Sequence, residues 1–297
     1  MGGVMKRIRK LTVIVCIFLA GCVSINLPKA GPMTEKVIGG KGKDKVLLIE
    51  VSGIITDVEK GGLIGLETSP NLTARIKEEL SLASSDDDIK ALILKIDTPG
   101  GSVTASDIIA HEIKEFRKKK GARFPVVAAL MGVAASGGYY IAASADKIVA
   151  HPTTVTGSIG VIAYGVNASG LMEKVGLTDQ TIKSGDKKDA GSPLRQMTPE
   201  ERRIIQSVID AMYERFLDVI LETRGAFFKR DELQAIADGR VYTARQARDL
   251  KLVDMIGYMD DVVALSKEMA GIKEAAIVTY AQPGAYRNNI YSMLGER

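Results

Sequence analysis

Two rhythms of apolar residues alternate along this chain. Short unbroken runs come first: Val46-Leu47-Leu48-Ile49-Glu50-Val51, Ile89 to Asp97, and Pro125-Val126-Val127-Ala128-Ala129-Leu130 read as buried strands. Lys147 to Ala150, Gly157 to Ala163 and Ala275 to Tyr280 continue the strand-like pattern. Between them the spacing changes to that of a helix. Leu72, Ile76 and Leu80 follow Ser69-Pro70, which offers an N-cap and first-turn pair, and Ile108, Ile109, Ile113 and Phe116 mark a helix over 103–119. Ser136 to Ala145 is a run of small residues suited to a tightly packed helix. Thr198-Pro199-Glu200-Glu201 is a capping box that opens a long helix through Ile204, Val208, Met212, Phe216 and Ile220 to about Gly225. Shorter helices are expected over 231–237, 243–250 and 260–270. Unbroken strands alternating with helices require crossover connections, hence a parallel sheet covered on both faces, and the fold class is α/β.

The ends of the chain read differently. Residues 1–22 have the form of a leader, with Lys6, Arg7, Arg9 and Lys10 ahead of the apolar run Leu11 to Ala20. Ten apolar residues fall short of the ~20 a membrane-crossing helix needs, although continuation to Leu27 keeps a retained anchor open. Leu19-Ala20-Gly21-Cys22 resembles the lipobox of bacterial lipoproteins, which implies lipidation at Cys22, attachment to membrane lipid and a body outside the cytoplasmic membrane. A Gly/Lys/Pro-rich linker over 23–43 then precedes a single domain at 44–272, followed by a C-terminal strand and loose tail at 273–297. The four leader cations equal the whole formal charge of +4, so the folded part is balanced and carries no basic footprint for nucleic acid. Cys16 and Cys22 are the only cysteines, and a chain processed at Cys22 has no internal disulfide.

Two glycine-rich loops close expected strands, where α/β sheets place their sites. Thr98-Pro99-Gly100-Gly101-Ser102 lets backbone N–H groups approach an anionic oxygen, although a plain tight turn has the same composition. Ala134-Ala135-Ser136-Gly137-Gly138-Tyr139-Tyr140 sets a serine among residues too small to cover it, at a helix start where the N–H of Gly137 could meet a developing oxyanion. The competing role for Ser136 is an ordinary N-cap. A nucleophilic serine needs a base, and the chain has only His111 and His151. His111 falls on the expected surface of its helix and lacks the second histidine of a zinc-peptidase motif, while His151 lies before Pro152 at a strand end. A triad through His151 stays open, but with histidine so scarce lysine becomes the plausible base. The loop Lys183 to Pro193 offers Lys187 and Lys188, provided that one is brought from the ordinary ~10.4 toward 7–8 by burial or nearby positive charge. No metal ligand set and no cofactor motif stands out.

Taken together, Asp97-Thr98-Pro99-Gly100-Gly101-Ser102, Ala135-Ser136-Gly137-Gly138-Tyr139-Tyr140, Thr156-Gly157-Ser158-Ile159-Gly160-Val161 and Lys188-Asp189 with Gly191-Ser192-Pro193 resemble the short, single-domain form of the signal peptide peptidase A family, over about residues 45–270. The resemblance implies a Clp protease/crotonase-like fold and a serine endopeptidase acting on cleaved signal peptides and other unfolded apolar peptides. It implies Ser136 as nucleophile, Lys188 rather than Lys187 as base, Ser158 as the hydroxyl that orients Lys188, and Gly101 and Gly137 as oxyanion donors. It further implies a ring-like homo-oligomer, such as an octamer, with serine and lysine of one site supplied by neighbouring subunits. A crotonase-like acyl-CoA enzyme shares the fold without needing Ser136 and Lys188, and an inactive membrane-tethered scaffold is the alternative from another class. A Clp-type histidine triad is disfavoured because Ile159-Gly160-Val161-Ile162 contains no histidine.

Overall fold

A computed structural model of the chain describes residues 31–58, 60–61, 68–69, 71–282 and 289–290. The leader, Cys22 and most of the tail past Gln282 lie outside these residues. The strands of the main sheet are β1 (Thr34–Gly40), β2 (Lys45–Ser52), β3 (Ile89–Thr98), β4 (Val126–Ala135), β5 (Lys147–Ala150), β6 (Val155–Gly157), β7 (Val241–Thr243), β8 (Met255–Ile256) and β9 (Ala276–Ala281). The helices are α1 (Leu72–Ser84), α2 (Val103–Lys120), α3 (Gly137–Ala142), α4 (Ser169–Lys174), α5 (Pro199–Arg224), α6 (Arg230–Ile236), α7 (Ala244–Asp249) and α8 (Met259–Ala270).

The sheet runs in the order β1-β9-β2-β3-β4-β5-β8, with β6 branching from β4 and β7 pairing with β6. Its centre is parallel, as the unbroken apolar runs require, and β3 and β4 lie in the middle. Alternation along each strand sorts side chains between two cores. Leu47, Ile49 and Val51 enter a large core with Ile76 of α1, Ile109 and Ile113 of α2, Tyr139 of α3 and Phe216 of α5. Val46 and Leu48 point the other way, toward Met259 and Val262 of α8.

Three expectations are revised. The linker contains β1, which pairs antiparallel with β9, so the sheet begins at Thr34 rather than near residue 44. The adjacent pair Val37-Ile38 beside glycines is a weak strand signal on its own. It becomes a strand because β9 offers an otherwise unpaired edge. Helix α1 is capped by Asn71, two residues after the expected Ser69 cap, and the Asn71 side chain accepts from Ala74 N at 2.8 Å. The strand expected over 157–163 ends at Gly157, where positive φ at Gly157 (87°) and Ser158 (49°) turns the chain out of the sheet.

Residues 161–198 form an arm that leaves the core. Ile182 and Tyr164 are 100% and 91% exposed, which no packed element of a single chain shows. Helix α5 carries the arm's return: Phe216, Leu217, Val219 and Ile220 are buried, whereas Ile204, Val208 and Met212 in its first half are exposed. The inner half is anchored by packing and the outer half projects.

The short helix α3 is held from inside by Tyr139, fully buried, whose hydroxyl donates to Leu252 O at 2.7 Å. Tyr139→Phe removes that donor and leaves a buried carbonyl unpaired, so a loss of about 1–3 kcal/mol in unfolding free energy is expected, read by denaturant titration.

Candidate active site

Strand β4 delivers the chain to Ser136 at the carboxyl end of the sheet, and α3 begins at the next residue. Ser136 adopts φ 52° and ψ −117°, a region that a non-glycine residue enters only when its surroundings impose it. The imposing contacts are local. Ser136 N donates to Gly157 O at 2.8 Å, and Ser136 O accepts from Tyr140 N at 2.9 Å. The strained turn lifts the side chain off the helix start, as in the strand-to-helix nucleophile turns of other hydrolases. Its hydroxyl makes no capping bond, so the ordinary N-cap role does not apply.

The second glycine loop lies against this turn. It is bound to the segment after β2 by Ile55 N to Gly100 O at 3.0 Å and Ser102 N to Ile55 O at 2.8 Å, an attachment with no signal in the sequence. Gly100 has φ 104°, and a Cβ placed there would lie 2.8 Å from Gly137 N and 2.9 Å from the Ser136 Cβ. Only glycine allows the two loops this approach. Among the described residues the N–H groups of Gly101 and Gly137 donate to no backbone acceptor, whereas those of Gly100 and Ser102 are used. Gly101, Ser136 and Gly137 line one notch, together with Val103, Tyr140, Val161, Met212 and Phe216. Its volume is about 20 Å³, room for a water but not for a peptide side chain. Tyr140 closes one side; its hydroxyl donates to Asp107 at 2.5 Å, and Arg215 reaches the same carboxylate at 3.0 Å. Burial, then this bond to Asp107, raises the Tyr140 phenol well above its ordinary range.

Ser158 does not line the notch. It sits one residue past the carbonyl that receives Ser136 N, itself at positive φ, with its N–H donating to Arg240 O at 2.7 Å. Lys188 is not brought to Ser136 either; it lies exposed on the arm. Among the described residues its ammonium has no hydrogen bond or ion pair. Lys187 is paired with Glu200, and that bond raises its pKa. His111 is exposed, and His151 Nδ1 is engaged with Thr153 Oγ1 at 2.8 Å.

Next to Lys188 the arm contains a cluster that sequence reading missed. Arg195 reaches Asp189 through Nε at 2.8 Å and Nη2 at 2.6 Å, and Glu201 through Nη1 at 2.9 Å and Nη2 at 2.6 Å. The available signal was an arginine six residues from each of two acids. Arg195, followed by the Thr198 N–H, pulls Glu201 down to about 2, and Arg195, followed by Lys183, holds Asp189 far below the usual carboxylate range. Because these acids titrate lower folded than unfolded, their stabilisation is complete above the ordinary ~4.3 and disappears as pH falls through the folded values. Hydrogen-exchange protection of residues 186–196, corrected for intrinsic rates, is expected to stay constant from about pH 8 to 5 and to fall between about pH 4 and 2. In Glu201→Gln it should already be reduced at neutral pH.

Comparison with known proteins places these features in a family. The model of peptidase family S49 matches residues 118–273, and that of Clp protease matches residues 59–156. A protein of Enterococcus faecium named signal peptide peptidase SppA is 37% identical over 251 residues, covering 84% of this chain and 70% of that one. A protein of Methanocaldococcus jannaschii named as a protease is 38% identical over 195 residues, covering 66% and 61%. The chloroplastic serine protease SPPA of Arabidopsis thaliana is 32% identical over 258 residues, covering 86% of this chain and 37% of its own length. The chain thus spans less than two thirds of the last two relatives.

Proposed function

The chain belongs to peptidase family S49, and from that premise we propose that it is a serine endopeptidase in which Ser136 is the nucleophile and Lys188 the general base. The observation that carries this reading is the Ser136 turn: a strained serine without a capping bond, beside the N–H groups of Gly101 and Gly137, which donate to no backbone acceptor among the described residues. Its Oγ attacks the scissile carbonyl while Lys188 accepts the hydroxyl proton. The Gly101 and Gly137 N–H groups receive the oxyanion, and the amine leaves with a proton from Lys188. Water, deprotonated by the same lysine, then releases the acyl group. Ser158 orients the lysine.

Lysine 188 is preferred to Lys187 because a base must be free to lose its proton, and Lys187 is stabilised in its charged form by Glu200. In the single chain Lys188 stands apart from the notch, so the proposal has it enter the site of a neighbouring copy. The exposed apolar side chains of the arm, among them Ile162, Tyr164, Val166 and Ile182, support association of this kind, because contact with a partner removes them from water. A partner that covers Lys188 also supplies the desolvation that a lysine base needs. Substrates are taken to be signal-peptide remnants and other unfolded apolar segments, in keeping with the apolar Val103, Val161, Met212 and Phe216 beside Ser136 and with the name of the Enterococcus relative. Attachment through a lipidated Cys22 would hold the enzyme at a membrane, with its body outside the cytoplasm.

Cleavage of a fluorogenic apolar peptide by the full chain, with assembly followed by size exclusion, tests the dyad. Ser136→Ala and Lys188→Ala are each expected to lose at least ~10³-fold in kcat without loss of assembly, and Lys187→Ala to stay within about threefold. Turnover retained by Ser136→Ala would exclude it as nucleophile and favour the acyl-CoA reading of the fold.

A further inference from the structure

The clamp around Arg195 has a geometry that a solvated loop does not need. A guanidinium has five N–H donors, and here all five are used: Nε and one Nη2 donor on Asp189, the other Nη2 donor and one Nη1 donor on Glu201, and the last on Gln196 O at 3.1 Å. Both carboxylates are held in two-point contact, the arrangement that fixes direction as well as distance. Asp189 takes a further cation, Lys183, at 2.7 Å, and Glu201 closes a capping box with Thr198 N at 2.8 Å. The side chain of Glu201 is 2% exposed, although it stands on the projecting half of α5. Backbone bonds complete the fold of the segment: Lys188 N to Gly185 O at 3.1 Å, Ser192 N to Asp189 O at 2.9 Å and Ala168 N to Pro193 O at 2.7 Å. Among the described residues the Lys188 ammonium, immediately beside the clamped Asp189, makes no hydrogen bond or ion pair, unlike those of Lys183 and Lys187.

We infer that Arg195 is a positioning residue for the general base, tying the backbone of Lys188, through Asp189, to the first turn of α5. The inference rests on the proposed role of Lys188. The arm is exposed and has no core of its own, so packing cannot fix where the lysine points. The double fork replaces packing with charge-assisted bonds. Because α5 is anchored in the core through Phe216, Leu217 and Ile220, a rigid path runs from the central sheet to the base. Lys183 is neutralised by the clamped Asp189 and Lys187 by Glu200, next to the clamped Glu201, which leaves Lys188 of these three lysines available for proton transfer.

The test compares the full-length wild type with Arg195→Met, Arg195→Lys, Asp189→Asn and Lys188→Ala, measuring kcat and KM separately from pH 6 to 10 and assembly in each sample. Arg195→Met and Asp189→Asn are expected to assemble normally, to lose about 10- to 100-fold in kcat with KM within about twofold, and to move the rising limb of the pH profile. Arg195→Lys can hold one carboxylate but not both in a fork, and should recover part of the loss. Wild-type kcat and pH profile in both Arg195→Met and Asp189→Asn would overturn the inference, as would a loss of kcat that follows loss of assembly in both. Where Arg195→Met alone fails to assemble, Asp189→Asn decides. Lys188→Ala separates the two levels. If it is inactive while the clamp variants are normal, the dyad stands and the clamp falls; if it is active, the base assignment itself falls.

Discussion

Everything at Ser136 depends on two turns lying closer together than side chains permit. Gly100 approaches Gly137 and Ser136, and a Cβ on Gly138 would come within 2.8 Å of the Thr98 Cγ2. The approach is enforced from below by β3 and β4, which are neighbours in the sheet and end in these two turns. It is enforced from the side by Ile55, which bonds both flanks of Gly101. Backbone N–H groups held in this way need no reorganisation when negative charge develops, which is where electrostatic catalysis gains most over water. The cost is strain at Ser136, carried by a centre whose strands are buried on both faces.

The two residues of the proposed dyad stand on supports of opposite kind. Ser136 sits between a buried central strand and a buried helix, where a packed core fixes it. Lys188 sits on an arm that buries almost nothing within one chain. Local stability follows buried contact, so the arm belongs to the easily opened part of the structure unless something else orders it. Salt-bridged forks order it from within, and contact with another copy would order it from outside. On the proposed dyad, the site is chemically incomplete until these two parts meet.

How much of this could be read in advance depends on the range of the interactions. Strands β2, β3 and β4 were legible because long apolar runs have few alternatives, and α5 because Thr198-Pro199-Glu200-Glu201 encodes its own start. Ser136 was legible as a candidate through the small residues around it, and the four motifs together pointed to the family. The pairing of β1 with β9 was not, since it joins residues about 240 apart in sequence, and a short stretch with two glycines gives no sign of its partner. The Ile55 contact with Gly101 is hidden for the same reason. Arg195 was missed for another: its acids are near in sequence, but charges on a polar loop look alike until geometry shows which of them converge.

Strand polarity carries one more consequence. The parallel strands β2, β3 and β4 all run toward the end of the sheet that bears Ser136, and β9 runs with them. Strand β1 runs against them, with Thr34 paired to Ala281, so it starts at that same end. Four strand spacings separate β1 from β4, roughly 19 Å at ~4.8 Å each. Strand β1 therefore enters the sheet at the rim that bears Ser136. Strands from opposite ends of the described sequence, one beginning at Thr34 and the other ending at Ala281, thus meet on the rim where the two glycine turns converge.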